Sequence, residues 1–252
     1  GSHFFADGSV NPNGGPADGM IRTPEDMAWL EAMVSAGNTF LPNKTIDKAG
    51  IWYGDYIYAD VNGDGVYGDA NDYMFQGTSQ TPKFYYGLQV ELGWKGIDFS
   101  MLWNGAGGSA AYWRYVGFNA YSTNTKFTLP KKIAYDHYFY DPMNPDDPRT
   151  NTTSKHPRLT MNYDTEQNGG SKVYSTLFLY KTDYLRLKNV TLGYTFPEKW
   201  MRKAHISNLR VFFSGENLLT FTEWPGMDPE ITDKMNYYAL LRQYSFGLSI
   251  KF

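Results

Sequence analysis

The chain has 252 residues, a net charge of −3 and no cysteine. So small a charge gives no basic field to draw in nucleic acid, and the missing thiols exclude disulfides, thiolate metal centres and cysteine catalysis. Aromatic residues make up 17% and charged residues 19%, which is too much aromatic surface for a disordered chain.

The mean hydropathy is −0.51. No run of about 18 apolar residues is present, so no transmembrane helix is predicted. Low hydropathy does not exclude a membrane barrel, because half of every barrel strand faces water.

Residues 1–82 are rich in Gly, Asn, Asp and Pro and read mostly as loop. One helix is predicted at about 24–36. Thr23 is its N-cap, Pro24 takes the first position, and Glu25 and Asp26 face the positive end of the dipole. Met27, Leu30, Met33 and Val34 form its apolar stripe, and Gly37 stops it.

The DVNGDG segment at Asp60–Gly65 matches the front of an EF-hand-type loop. Asp60, Asn62 and Asp64 supply oxygens at the first, third and fifth positions, Gly65 permits the sharp turn, and Val66 offers its carbonyl. The acidic last position is taken by Asn71, with Asp72 one residue late and Asp69 nearby. Two readings stand: a structural Ca²⁺ pinning the loop, or a polar turn built without metal.

Residues 83–94 alternate with period two. Phe84, Tyr86, Leu88, Val90, Leu92 and Trp94 share one face, and Tyr85, Gln89 and Glu91 the other. Lys95-Gly96 is a tight turn, after which Ile97, Phe99, Met101 and Trp103 resume the apolar face. Trp94 and Trp103 read as interface aromatics near opposite ends of this hairpin. Glu91, Asp98, Arg210 and Glu216 fall on the polar side, either solvated or in salt bridges with a domain that plugs a barrel lumen.

Residues 105–172 form a long polar and aromatic stretch, unusual unless functional. Its Tyr112, Trp113, Tyr115, Tyr121, Tyr135, Tyr138 and Tyr140 either stack on sugar rings or pack the loop, and packing is the expectation for most. Trp113 and Tyr112, just beyond the strand with Trp103 and Asn104, are the candidate ligand contacts, with Asn104 beside them.

Strand character returns at about 176–196, where Val190, Leu192, Tyr194 and Phe196 alternate. Residues 197–204 suggest a helical turn, 209–222 a further strand and 223–239 a loop. The segment 242–252 closes the chain with Tyr244, Phe246, Leu248, Ile250 and Phe252 on one face. So long and apolar an edge is a liability in a water-soluble domain and ordinary in a closed membrane barrel.

Long and short connections alternate along these strands, as expected if short turns lie on one side of a membrane and long loops on the other. The expected division is a loop region, 1–82, and a strand region, 83–252. No enzyme is predicted: His3, His137, His156 and His205 are scattered, GAGGSA at 105–110 lacks the helix and acidic residue of a dinucleotide site, and no nucleophile elbow or phosphate loop is present.

The stretches Asp183–Pro197, Ile206–Thr222, Pro225–Glu230 and Tyr244–Phe252, in this order, strongly resemble the C-terminal barrel of SusC/RagA-type TonB-dependent outer-membrane transporters of Bacteroidetes. Gly54–Gly65 and the hairpin opening at Thr81-Pro82-Lys83-Phe84 are similar to that family too, so the resemblance covers about residues 50–252. It implies an all-β fold: a transmembrane antiparallel β-barrel segment, about the last five strands of a plugged barrel of roughly 22, with long extracellular loops. It also implies import of oligosaccharides or peptides driven through the TonB complex, a SusD-like surface lipoprotein as partner, and contact with outer-membrane lipid. Nucleic acid is not an expected partner. The chain lacks the family's signal, plug and remaining strands, so a portion of a longer transporter is expected. Tyr244, Phe246, Leu248, Ile250 and Phe252 would carry the assembly signal. The competing reading is a secreted all-β carbohydrate-binding module with a structural calcium site.

Overall fold

A computed structural model describes residues 2–113, 131–160, 167, 175–232, 238 and 240–252. The chain packs as two units. Gly1–Gln76 and Arg114–Phe178 form the first, and Gly77–Trp113 and Leu179–Phe252 the second. The first division falls after Gln76, and the described residues 131–160 group with the N-terminal unit rather than with the strands.

In the first unit, helix α1 spans Pro24–Ser35. The Thr23 hydroxyl accepts from the Asp26 amide, and Asp26 accepts from the Thr23 amide at 2.8 Å, a reciprocal cap. Gly37, with φ +98°, turns the chain out of the helix. Met27, Leu30 and Met33 are buried as their spacing requires. Trp29, outside the predicted stripe, is also buried, because its indole N–H donates to the Asn11 carbonyl at 2.8 Å. These side chains join Met20, Ile21, Phe40, Ile51, Tyr53 and Tyr138 in one core. A region read as mostly loop therefore carries its own packed centre. Two short strands, β1 (Thr39–Phe40) and β2 (Val66–Tyr67), pair in parallel, and a short helix α2 covers Lys131–Tyr135.

In the second unit, strands β3 (Phe84–Trp94) and β4 (Ile97–Gly107) form the predicted hairpin. Lys95 (φ 47°) and Gly96 (φ 88°) both take the positive φ that a two-residue turn of this hand requires. Strand β5 (Ala110–Tyr112) pairs with β6 (Leu179–Lys181), so the strand expected over 176–196 is broken at its start. Strand β7 (Tyr184–Thr195), helix α3 (Glu198–Met201), strand β8 (Asn208–Thr222) and strand β9 (Gln243–Lys251) follow. β3-β4-β7-β8-β9 form one five-stranded sheet, antiparallel throughout. The two short connections leave this sheet at its Trp94/Ile97/Thr195/Asn208 end, and the long ones join it at the other.

Candidate functional site

The register of the sheet sorts its side chains onto two faces. Residues directly opposite each other in neighbouring strands share a face. Leu88 pairs with Trp103, Leu92 with Phe99, Phe99 with Leu192, Leu192 with Phe213, and Phe213 with Phe246. Leu185, Leu187, Leu219, Phe221, Leu209, Val211, Tyr244, Leu248 and Ile250 fall on the same side.

A bulge makes this possible. Lys188 is an extra residue against β4, since Leu187 and Asn189 pair with adjacent Trp103 and Leu102, while β8 sets two residues, Asn217 and Leu218, against it between Leu219 and Glu216. It shifts the parity of β7, so odd-numbered Leu185 and Leu187 lie on the same face as even-numbered Val190, Leu192 and Tyr194.

This apolar face is exposed. Leu88, Leu92, Trp94, Leu192, Phe221, Phe246 and Leu248 are each at least half accessible, with Phe246 at 84%. Phe213 stacks on Tyr244 and tilts against Phe246, centroids 6.1 and 5.0 Å apart. An apolar surface continuous over five strands marks an interface, because scattered single residues are the norm on a soluble surface. Tyr244, Phe246, Leu248, Ile250 and Phe252 of the expected assembly signal are all exposed. Trp94 stands at the turn end, whereas Trp103 lies four residues inside the end of β4, its ring stacked on Phe221 at 6.3 Å.

The opposite face is polar. Arg210 pairs with Asp98 through two N–H donors, at 2.9 and 2.5 Å, spanning β7. Gln89 donates to Glu91 at 2.6 Å. Near the long-loop end lies a cluster that the sequence reading missed. Arg186, only 3% exposed, donates to Asp228 at 2.9 Å, to Glu230 at 2.5 Å and to the Thr220 hydroxyl at 3.1 Å. The Tyr184 hydroxyl donates to Glu230 as well. The cluster fastens the loop after β8 onto the sheet. Its signal was present, since Asp228 and Glu230 belong to PGMDPE and Arg186 sits between Leu185 and Leu187.

Asn104 lies opposite Arg186 in the register, and its side-chain oxygen is buried with no hydrogen-bond partner among the described residues. Tyr112 sits in β5 opposite Leu179. The Trp113 ring packs edge-on against Tyr180 at 5.9 Å. Tyr112 and Trp113 thus lie on the short β5–β6 ladder, while Asn104 lies in the main sheet. Of the other loop aromatics, Tyr115 and Tyr121 lie outside the described residues. Tyr138 is buried in the first unit, donating to the Arg22 carbonyl at 2.6 Å. Burial pushes its hydroxyl pKa up. It is a packing residue. Tyr135 is exposed, and it lines a cleft of about 760 Å³ in that unit together with Trp52, Tyr140 and Arg149.

In the calcium-like loop, Asp60 accepts amides from Gly63 at 2.6 Å, Asp64 at 3.2 Å and Gly65 at 2.8 Å. Asn62 accepts from the Asp64 amide, and Asp64 accepts from the Val66 amide and the Asn62 side chain. Asp69 caps the 3₁₀ turn Ala70–Asp72. Asp72 accepts from Val61, Gly68 and Asp69. Desolvation opposes ionisation of Asp72, but these amides outweigh it and hold the carboxyl below its usual range. The donors that fold the loop are its own amides. Among the described residues no cluster of three or more His, Asp or Glu side chains is arranged to hold a metal.

No family model matches. The chain is 27% identical over 214 residues to TonB-dependent receptor P3 of Formosa agariphila, covering 79% of this chain and 19% of that protein. It is 22% identical over 199 residues to TonB-dependent receptor SusC of Bacteroides thetaiotaomicron, covering 78% and 17%. Among solved structures it is similar to the RagAB peptide transporter, with a TM-score of 0.51 and 25% identity over 69% of this chain and 17% of that one. It is also similar to the RagAB peptide importer in its open-open state, with a TM-score of 0.56 and 24% identity over 79% and 21%. The chain therefore spans about a fifth of the length of the proteins it matches. The expected resemblance to SusC/RagA-family TonB-dependent receptors is shown, over about three quarters of the chain.

Proposed function

We propose that this chain is part of an outer-membrane importer in which the five-stranded sheet is one arc of a closed, plugged barrel. The observation that carries this reading is the exposed apolar face running across all five strands. Water penalises such a face by about 25 cal/mol per Å², while hydrocarbon accepts it. The polar face, with Asp98, Arg210 and the Arg186 cluster, then lines the lumen. The two short connections are periplasmic and the long segments extracellular.

The cargo class is oligosaccharide or peptide, energy comes through TonB, and a SusD-like lipoprotein is the partner. The names of the relatives support this assignment. Tyr112 and Trp113 are proposed ligand contacts because both are aromatic rings that stay partly accessible. Asn104 is proposed because its buried carbonyl oxygen lacks a donor. The Asp60–Asp72 loop is proposed to gain rigidity from Ca²⁺, on the strength of its intact front half. The competing secreted module needs a cover for the apolar face.

The test is extraction. The protein is expected in the outer-membrane fraction and to require detergent for monodispersity. A chain that remained soluble and monomeric without detergent, as a closed globule, would sink the proposal.

A further inference from the structure

The short-turn end of the sheet carries a second kind of surface. Helix α3 and the 3₁₀ turn Arg202–Ala204 that follows it connect β7 to β8, and His205 (φ 56°) closes the connection. Trp200 on this turn is 62% exposed, and Trp94 at the same end of the sheet is 67% exposed. Trp200 tilts against Phe196 at 6.5 Å, and Phe196 meets Tyr194 edge-on at 4.9 Å, so the aromatic row continues from the apolar face onto the turn.

Cations share this end of the sheet. The Lys95 ammonium lies 4.8 Å from the centre of the Trp94 ring. Lys199, Arg202 and Lys203 are exposed on the turn, and Lys251 is exposed beside it on β9. Glu198 is the carboxylate on the turn, and it pairs with Arg202 at 3.2 Å with both side chains largely in solvent. Such a pair holds little energy. Asp98 is already engaged by Arg210. Among the described residues Lys95, Lys199, Lys203 and Lys251 have no carboxylate within ion-pairing distance.

We propose that this end of the sheet is a binding surface for anionic phospholipid headgroups. Trp94 and Trp200 take the interfacial depth, and Lys95, Lys199, Arg202 and Lys203 take the phosphates. The inference rests on the lipid-facing reading of the sheet. Indoles prefer the boundary between hydrocarbon and water. Lysine and arginine stems lie along apolar surface while their heads reach the charged layer. Exposed cations at the same end as exposed indoles, continuous with the apolar face, complement an anionic lipid layer better than bulk water.

The test uses the full-length protein in phosphatidylcholine nanodiscs that hold a minor fraction of brominated phosphatidylglycerol or, in parallel, brominated phosphatidylcholine. Tryptophan quenching reads contact, and the difference between wild type and Trp200→Phe isolates Trp200. Brominated phosphatidylglycerol is expected to quench Trp200 more than its zwitterionic counterpart. That preference should fall roughly fivefold per cation removed in Lys199→Gln/Arg202→Gln/Lys203→Gln, and Lys203→Arg should retain it. Equal quenching by the two lipids, or a preference untouched by the triple variant, overturns the headgroup site and assigns these cations to another partner. Absence of quenching of any tryptophan by either lipid overturns instead the lipid-facing reading of the sheet.

Discussion

Arg210 reaches Asp98 over the backbone of Gly193. Asp98 and Gly193 are register partners, and a β-carbon at Gly193 would lie 2.5 Å from both the Arg210 guanidinium and an Asp98 carboxylate oxygen. The glycine is the gap through which the ion pair closes. Gly193→Ala is expected to push the pair apart at a cost of about 1 kcal/mol or less, since both groups keep solvent contact. Urea unfolding in lipid reads this. A double-mutant cycle of Asp98→Asn and Arg210→Gln should give a coupling energy that shrinks in the Gly193→Ala background.

Arg186 carries a larger stake. Replacing it with Met leaves the 2%-exposed Asp228 without its cation. Removing one partner of such a buried pair costs about 3–5 kcal/mol. Arg186→Met should release the segment around Asp228 and Glu230, seen as faster amide exchange and new protease cuts there. Asp228→Asn should be milder, because Glu230 still engages the guanidinium. Equal effects of the two variants would contradict this ranking.

Leu192 and Thr191 are neighbours on β7 that face opposite ways. If the apolar face meets lipid, Leu192→Arg should cost about 2–4 kcal/mol near the membrane midplane and lower the amount of inserted protein. Thr191→Arg should be close to neutral. Folding titrations into bilayers compare them, and a reversed order would assign the faces the other way.

The five strands of the main sheet, their turns and their apolar stripes were legible in the sequence because period-two alternation is local. Thr23, Pro24 and Gly37 marked α1 for the same reason. The core around Trp29, Phe40 and Tyr138 was not legible, because it joins residues far apart in a segment without periodicity. The parity change at Lys188 was hidden too, since a bulge looks like a lapse in the pattern until its partners are known. The pairing of Arg186 with Asp228 and Glu230 likewise needs the fold of the loop after β8.

Acid should loosen one contact of the first unit. Three donations from Arg149 (its amide and two guanidinium N–H groups) hold the Asp147 carboxyl at about 2. A carboxylate with a depressed folded-state pKa contributes stability above its unfolded value, 3.8, which is lost as pH falls toward 2. Asp72 is lowered in the same direction. Between pH 4 and 2 the contact of Arg149 over Phe139, now 4.6 Å to the ring centre, should loosen. Carboxyl chemical shifts against pH check this, and a midpoint for Asp147 at or above 3.8 would contradict it.

The Asp60 loop allows a test of calcium through two positions. Asp60 holds three backbone amides, so Asp60→Ala should destabilise the loop with or without Ca²⁺, by about 1–3 kcal/mol. Asp64→Ala should gain an additional effect when Ca²⁺ is added. Identical melting of the Asp64 variant in calcium and in chelator would remove the metal and leave a turn held by its own amides.

β3 and β9 end the sheet on either side, and among the described residues neither outer edge is paired. In hydrocarbon each bare backbone group costs several kcal/mol. The sheet is therefore a poor traveller on its own. If the sheet is the barrel arc proposed above, its neighbours must be delivered to both flanks as it enters the bilayer, and until then β9 needs a shield. Severed from those neighbours, the same five strands would seek one another instead, edge to edge, and the ribbon they formed would be the insoluble fate of a chain whose order of assembly had failed.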